Sequence, residues 1–170
     1  MRTLRLLLIS LVLLAATEVR AQYNREYFFW VGRSCMMNND YQEAIRTLNT
    51  LLRFDDKAYE GYFLRGIAKY NLDDLLGADT DFSLAIEHNP VFTNAYNYRA
   101  ITRSRLGNYA DALNDFHEAI ELRPDLPGPY YSRGVTRLLN EQYEEAIEDF
   151  DMFLRKEKKG ADAYVNRGVC

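Results

Sequence analysis

Residues 127–160 read PGPYYSRGVTRLLNEQYEEAIEDFDMFLRKEKKG, and the fold follows from how this stretch is read. Tyr130, Gly134 and Leu138 recur at every fourth position, the stripe of an amphipathic helix. Pro129 suits a helical first turn, where its absent N–H costs nothing. Asn140-Glu141-Gln142 then breaks the pattern. Tyr143, Ala146, Ile147, Phe150, Phe153 and Leu154 make a second stripe of the same period. The stretch therefore predicts two helices joined by a tight turn.

The same pair recurs along the chain. Ala44, Ala78, Ala112 and Ala146 each stand 34 residues after the last, and Gly32, Gly66, Ala100, Gly134 and Gly168 keep that interval. A fixed period of this length predicts stacked copies of one small unit rather than a single interwoven core. The units run over residues 25–58, 59–92, 93–126 and 127–160, with a fifth beginning at 161. Pro90 and Pro124 close the second and third, since proline stops a helix and turns the chain; Asp56 and Lys158 hold that place in the outer two. The small columns are expected to let paired helices approach closely, with Gly134 facing Ala146. Phe28, Tyr62, Tyr96, Tyr130 and Tyr164 on first helices, and Leu48, Phe82, Phe116 and Phe150 on second helices, read as packing residues. Gly77, inside a second helix, is expected to cost about 1 kcal/mol relative to alanine.

These features resemble the tetratricopeptide repeat family. Tyr96-Asn97-Tyr98-Arg99-Ala100 and Asn108-Tyr109-Ala110-Asp111-Ala112-Leu113 match its two helical signatures, and the resemblance covers residues 25–170. It implies an all-α fold: a right-handed α-solenoid of antiparallel helix pairs, four full repeats plus a truncated fifth. One departure is systematic. The leucine that the family places before the small residue is arginine here, at Arg65, Arg99, Arg133 and Arg167, and its later tyrosine becomes Lys69, Arg103 and Arg137. Antiparallel register sets Arg133 against Asp149, Arg137 against Glu145, Arg99 against Asp115, Arg103 against Asp111 and Arg65 against Asp81, while Lys69 meets Gly77. Repeat one offers Val31 and Thr47 instead. An ion-pair ladder of semi-exposed pairs follows, each contributing about 0–1 kcal/mol.

The resemblance also implies that first helices line a concave face, with the second, fifth, ninth, twelfth and thirteenth places of each repeat turned into it. Repeat one supplies Glu26, Phe29, Arg33, Met36 and Met37; repeat two, Glu60, Phe63, Ile67, Tyr70 and Asn71. Repeat three supplies Asn94, Asn97, Ile101, Ser104 and Arg105; repeat four, Gly128, Tyr131, Val135, Leu138 and Leu139. Contiguous apolar surface marks interaction sites, and methionine adapts to several shapes. Such a wall suits an amphipathic helix or an apolar peptide, with Asn94, Asn97 and Arg105 available to backbone amides or a carboxylate. The family's clamp for chaperone tails is not supported, because Phe29 and Arg33 stand where its first lysine and asparagine would be.

The remaining sequence narrows the function class. Arg2 and Arg5 precede the apolar run Leu6–Ala16, and Val19-Arg20-Ala21 fits a signal-peptidase site, so residues 1–21 are expected to be a secretory leader cleaved before Gln22. The run is too short to span a bilayer, which takes about 20 apolar residues. Export to the periplasm of a Gram-negative cell, or otherwise to the exterior, follows from that reading. Removing residues 1–21 takes away Arg2, Arg5, Arg20 and Glu18 and leaves 18 basic against 24 acidic side chains. An acidic chain without a basic stripe is a poor ligand for nucleic acid or anionic lipid. Cys35 and Cys170 lie some four repeats apart, too far for one disulfide.

Chemistry is sparse. His88 and His117 have no metal-ligand spacing to cysteine or paired carboxylates, and neither a G-x-S-x-G elbow nor a phosphate-cradling loop occurs. No catalytic residue, cofactor or metal is expected. The fifth repeat reaches Cys170 within its first helix, so three outcomes stand: a piece of a longer repeat protein, self-association through that end, or a fraying helix. The sequence reads as a non-enzymatic scaffold or adaptor that holds a protein or peptide partner. The alternative is a repeat domain of a larger enzyme or of a secretion or assembly machine.

Overall fold

The computed structural model describes residues 24–170. The expected leader, residues 1–21, lies outside the described residues. Those described form helices and turns, with no strand among them. Helix α1 covers residues 24–37. It is followed by α2 (Tyr41–Phe54), α3 (Tyr59–Asn71), α4 (Leu75–His88) and α5 (Thr93–Arg105). Then come α6 (Tyr109–Leu122), α7 (Pro127–Leu139), α8 (Tyr143–Lys156) and α9 (Ala161–Val169). From α2 onward each helix packs on the next in chain order. The first helices of neighbouring repeats also touch, α3 on α5 and α5 on α7. The described residues form an all-α solenoid of antiparallel helix pairs, two helices thick.

Backbone conformation repeats with the sequence. Asn39, Asp73, Gly107 and Glu141 stand 34 residues apart, and all four adopt positive φ, between 59° and 79°. Each ends a first helix and reverses the chain within three residues. Glycine, asparagine and aspartate tolerate this left-handed region; glutamate does so at a cost of about 1–2 kcal/mol. Second helices begin on caps where the sequence supplies them. Asp40 accepts from the Glu43 N–H at 3.3 Å, and Asp74 accepts from the Gly77 N–H at 3.0 Å. Gly77 thus sits in a capped first turn, where a Cβ would strike the Asp74 carboxylate.

The interlock between paired helices adds a large side chain to the expected contact of small residues. A Cβ on Gly134 would lie 2.8 Å from Phe150 Cε1, one on Gly66 2.7 Å from Phe82 Cε1, and one on Gly32 2.8 Å from Leu48 Cδ2. The small residue therefore also receives the large side chain 16 positions later. Ala44, Ala78, Ala112 and Ala146 are fully buried, as are Phe82, Phe116 and Phe150. Small side chains on both helices bring the backbones together, and the gap that remains is the size of one ring. In repeat three Ala100 clusters with Ala112 and Phe116. Cys35 and Cys170 are both free thiols. Burial pushes the Cys35 thiol up from its ordinary value, reinforced by Asp40 and Glu43.

Candidate functional site

The arginine columns form the most ordered polar array in the fold. Asp81, Asp115 and Asp149 are buried, at 1%, 4% and 1% exposure, each immediately before the ring of its second helix. Each takes a bidentate guanidinium from the first helix: Arg65 on Asp81 at 2.8 and 2.6 Å, Arg99 on Asp115 at 2.8 and 2.6 Å, and Arg133 on Asp149 at 2.9 and 2.6 Å. The same arginines lie over Tyr62, Tyr96 and Tyr130, 5.4–5.8 Å from the ring centres. Two of them also reach back to the preceding second helix: Arg65 donates to Asn49 and Arg99 to Ser83. Desolvation is the largest influence on Arg99 and works against its charge, but the hydrogen bonds to Asp115 together with the charges of Asp115 and Asp79 more than offset it and raise the pKa.

The second basic column departs from expectation. Arg137 donates to the Asp149 carboxylate at 2.7 Å and to the backbone carbonyl of Glu145, not to the Glu145 carboxylate. Arg103 pairs with Asp115 at 2.9 Å and, across the repeat boundary, with Asp79 at 2.7 Å, not with Asp111. Lys69 does approach the Gly77 carbonyl, at 3.4 Å, yet its ion pair is with Asp81 at 2.8 Å. One buried carboxylate has about four acceptor sites and can hold two cations. Asp111 and Glu145 are exposed on the first turn of their helices, where water serves them. The pairs are thus buried on their acidic side, more so than the semi-exposed ladder the sequence suggests.

The apolar places of the first helices fall into separate groups. Ile101, Arg105, Tyr131 and Val135 come together around a cleft of about 200 Å³ between α5 and α7, joined by Ser104, Ser132, Thr136 and Leu139. Thr136 donates to Ser104 at 3.0 Å and pins the floor of the cleft. Leu139 is well exposed at its rim. Phe29 lines a different pocket of about 170 Å³, with Glu26, Glu60 and Tyr59. Phe63 is wedged among the rings of Phe82, Phe92 and Tyr98, and Met36 packs against the α1–α2 core. Leu138, with Tyr131 and Val135, packs against the α8 core. Met37 is 79% exposed, and Arg33 lies over Trp30. Ile67 is half-buried and Asn94 exposed.

Two polar places are already committed or constrained. Arg105 bonds Asp73 at 2.7 Å and covers the Tyr70 ring at 4.8 Å; Tyr70 first, then Asp73, raise its pKa. Asn97 holds a buried side-chain oxygen with no hydrogen-bond partner. Ser132 and Thr136 line the cleft without being expected there. Their signal was present in the spacing: Ile101 with Val135, and Arg105 with Leu139, occupy the same columns of adjacent repeats. Among the described residues, no group of three or more His, Cys, Asp or Glu is placed to hold a metal. No helix among them is long and apolar enough to cross a membrane.

Residues 93–126, the third repeat, match the tetratricopeptide repeat model. Curated protein sequences give no significant match. Solved structures give many. The crystal structure of MamA superposes with a TM-score of 0.75 at 25% identity, covering 82% of this chain and 81% of that one. The Arabidopsis OM64 TPR domain gives 0.64 at 26% identity, over 66% of this chain and 93% of the domain. The first TPR of Spaghetti (RPAP3), solved bound to an HSP90 peptide, gives 0.65 at 21% identity, over 68% of this chain and 91% of that one. The matched repeat, the 34-residue backbone period and these superpositions show that the chain carries a tetratricopeptide repeat at 93–126 and shares the helical-solenoid fold of these proteins.

Proposed function

We propose that this chain is a non-enzymatic scaffold that holds an amphipathic helix or apolar peptide segment of another protein along the wall of its odd-numbered helices. The α5–α7 cleft carries the reading. Ile101, Val135, Leu139 and the Tyr131 ring leave an apolar notch of about 200 Å³, with Arg105 beside it for a backbone carbonyl or an acidic side chain. The contacts between α3, α5 and α7 make this wall the shorter side of the stack, and hence the concave one. The first TPR of RPAP3, which shares this fold, was solved with a peptide bound, which supports a peptide-holding role in general terms. Phe29, Phe63, Met36 and Leu138 serve this reading as the packing behind the wall, while Ile67, Tyr70, Met37 and Arg33 extend it toward α1. Asn94 and Asn97 offer polar contacts to the partner's backbone.

Panning a displayed library of helical peptides on the chain tests the proposal. Selected peptides should share an apolar face, and Leu139→Glu, at the exposed rim, should weaken them by at least about tenfold by placing a charge at the notch. Equal binding to the Leu139→Glu protein would exclude the cleft. Export is part of the same proposal, on the strength of the leader-like residues 1–21. Amino-terminal sequencing of the protein recovered outside the cytoplasm should begin at Gln22; an intact Met1 would contradict it.

A further inference from the structure

We propose that the pocket at Ala58, between α1 and the start of α3, takes an aromatic side chain from an extended segment of a partner protein. The inference rests on the reading of this chain as a holder of peptide segments, but not on the α5–α7 cleft.

The neighbouring repeat shows what such a pocket holds. Ala58, Phe92 and Leu126 stand 34 residues apart, and each immediately precedes a first helix: α3, α5 and α7. The backbone at Ala58 (φ −69°, ψ 82°) nearly matches that at Phe92 (φ −82°, ψ 82°). Their Cβ atoms therefore leave the chain in equivalent directions. At Phe92 the space beyond is filled. That ring meets Phe63 at 4.9 Å and Tyr59 at 5.1 Å, edge to face in both cases. One repeat earlier, those two partners become Phe29 and Arg25. Both line the pocket, with Leu51 of α2 and Ala58 itself.

Alanine thus leaves open what phenylalanine fills one repeat later. The pocket holds about 170 Å³. A cavity of about 150 Å³ is enough for one benzene ring. Its opening is set by residue 58, with side chains of α1, α2 and α3 all in place around it.

The lining selects an aromatic ring over an aliphatic group. Asp55 holds the Arg25 guanidinium at 3.0 Å, on the side where repeat two places the Tyr59 ring. A guanidinium plane attracts ring faces. The fold uses that contact elsewhere, with Arg65, Arg99 and Arg133 lying 5.4–5.8 Å from tyrosine ring centres. Lys57 and Glu60 stand exposed at the pocket. One ring in a charged rim suits an extended segment. An amphipathic helix would press a whole apolar face onto that charge, at a desolvation cost.

Subtractive panning tests the proposal. A displayed library of short random peptides is depleted on the Ala58→Phe chain and then selected on the native chain. Enriched peptides should share one aromatic residue. By fluorescence anisotropy, changing that residue to alanine should weaken binding at least about tenfold, as should Ala58→Phe in the protein. Replacing the ring with cyclohexylalanine should cost about two- to fivefold on the native chain and nothing on the Arg25→Gln chain. Ala58→Leu is the second blocking variant, since the fold already carries leucine there at Leu126. Circular dichroism establishes that each variant remains folded. Leu139→Glu should leave this binding unchanged. Peptides weakened by Leu139→Glu but indifferent to Ala58→Phe would support the cleft and overturn the pocket. Enriched peptides without an aromatic residue would also overturn it. So would finding no peptide that separates the native chain from both blocking variants, or a dimer of the chain itself that Ala58→Phe dissolves.

Discussion

Phe82→Ala is expected to remove about 3–5 kcal/mol of folding free energy. The ring is fully buried and fills the gap left by Gly66. It also meets Phe63 on α3 and Tyr98 on α5, with ring centres 5.9 Å apart in both cases. Deleting it opens a cavity inside repeat two and at the junction with repeat three together. In a stack whose stability sums repeat and interface terms, both terms drop. Guanidinium unfolding followed by circular dichroism should show a lower midpoint and a broader transition. Repeat one supplies the control, because Leu48 occupies the same place against Gly32. Phe82→Leu should therefore cost far less, about 1 kcal/mol. A loss below about 1 kcal/mol for Phe82→Ala would mean that ring and glycine do not interlock.

The second large effect is electrostatic. Asp149→Ala should destabilise the chain by about 3 kcal/mol, because it strands two guanidiniums. Arg133 loses both of its carboxylate bonds, and Arg137 keeps only the Glu145 carbonyl. Removing one partner of a buried pair costs about 3–5 kcal/mol, and the 16% and 22% exposure of the two arginine side chains places this site at the low end. The double variant Asp149→Ala with Arg133→Leu should recover at least half of the loss. A well-packed apolar pair often matches a buried ion pair, and the tetratricopeptide pattern itself carries leucine there. A double-mutant cycle measures the coupling directly. Strictly additive losses would show that arginine and aspartate do not act as a unit.

The fold was legible because its causes are local and repeated. One residue in every 34 must be small, another must turn left-handed, and a ring must follow at a fixed distance. Period alone shows which columns are buried but not how closely each ring seats, as Phe150 does against Gly134. Arg133 with Asp149 could be read from antiparallel register. Arg103 with Asp79 could not, since it crosses from one repeat to the helix before it. Arg137 missed Glu145 for a related reason: a long side chain chooses the buried acid over the exposed one. The cleft was half legible. Ile101 and Val135 shared a column, but which neighbouring columns gape and which close, as around Phe63, depends on side-chain size across three helices.

The central claim is that the wall of odd-numbered helices receives the partner, with its anchor between α5 and α7. Hydrogen exchange of the chain, measured with and without a peptide selected by panning, tests this most directly. Protection should rise in residues 93–105 and 127–139 and leave α4, α6 and α8 unchanged. Protection confined to those outer helices, with α5 and α7 exchanging as before, would contradict the account.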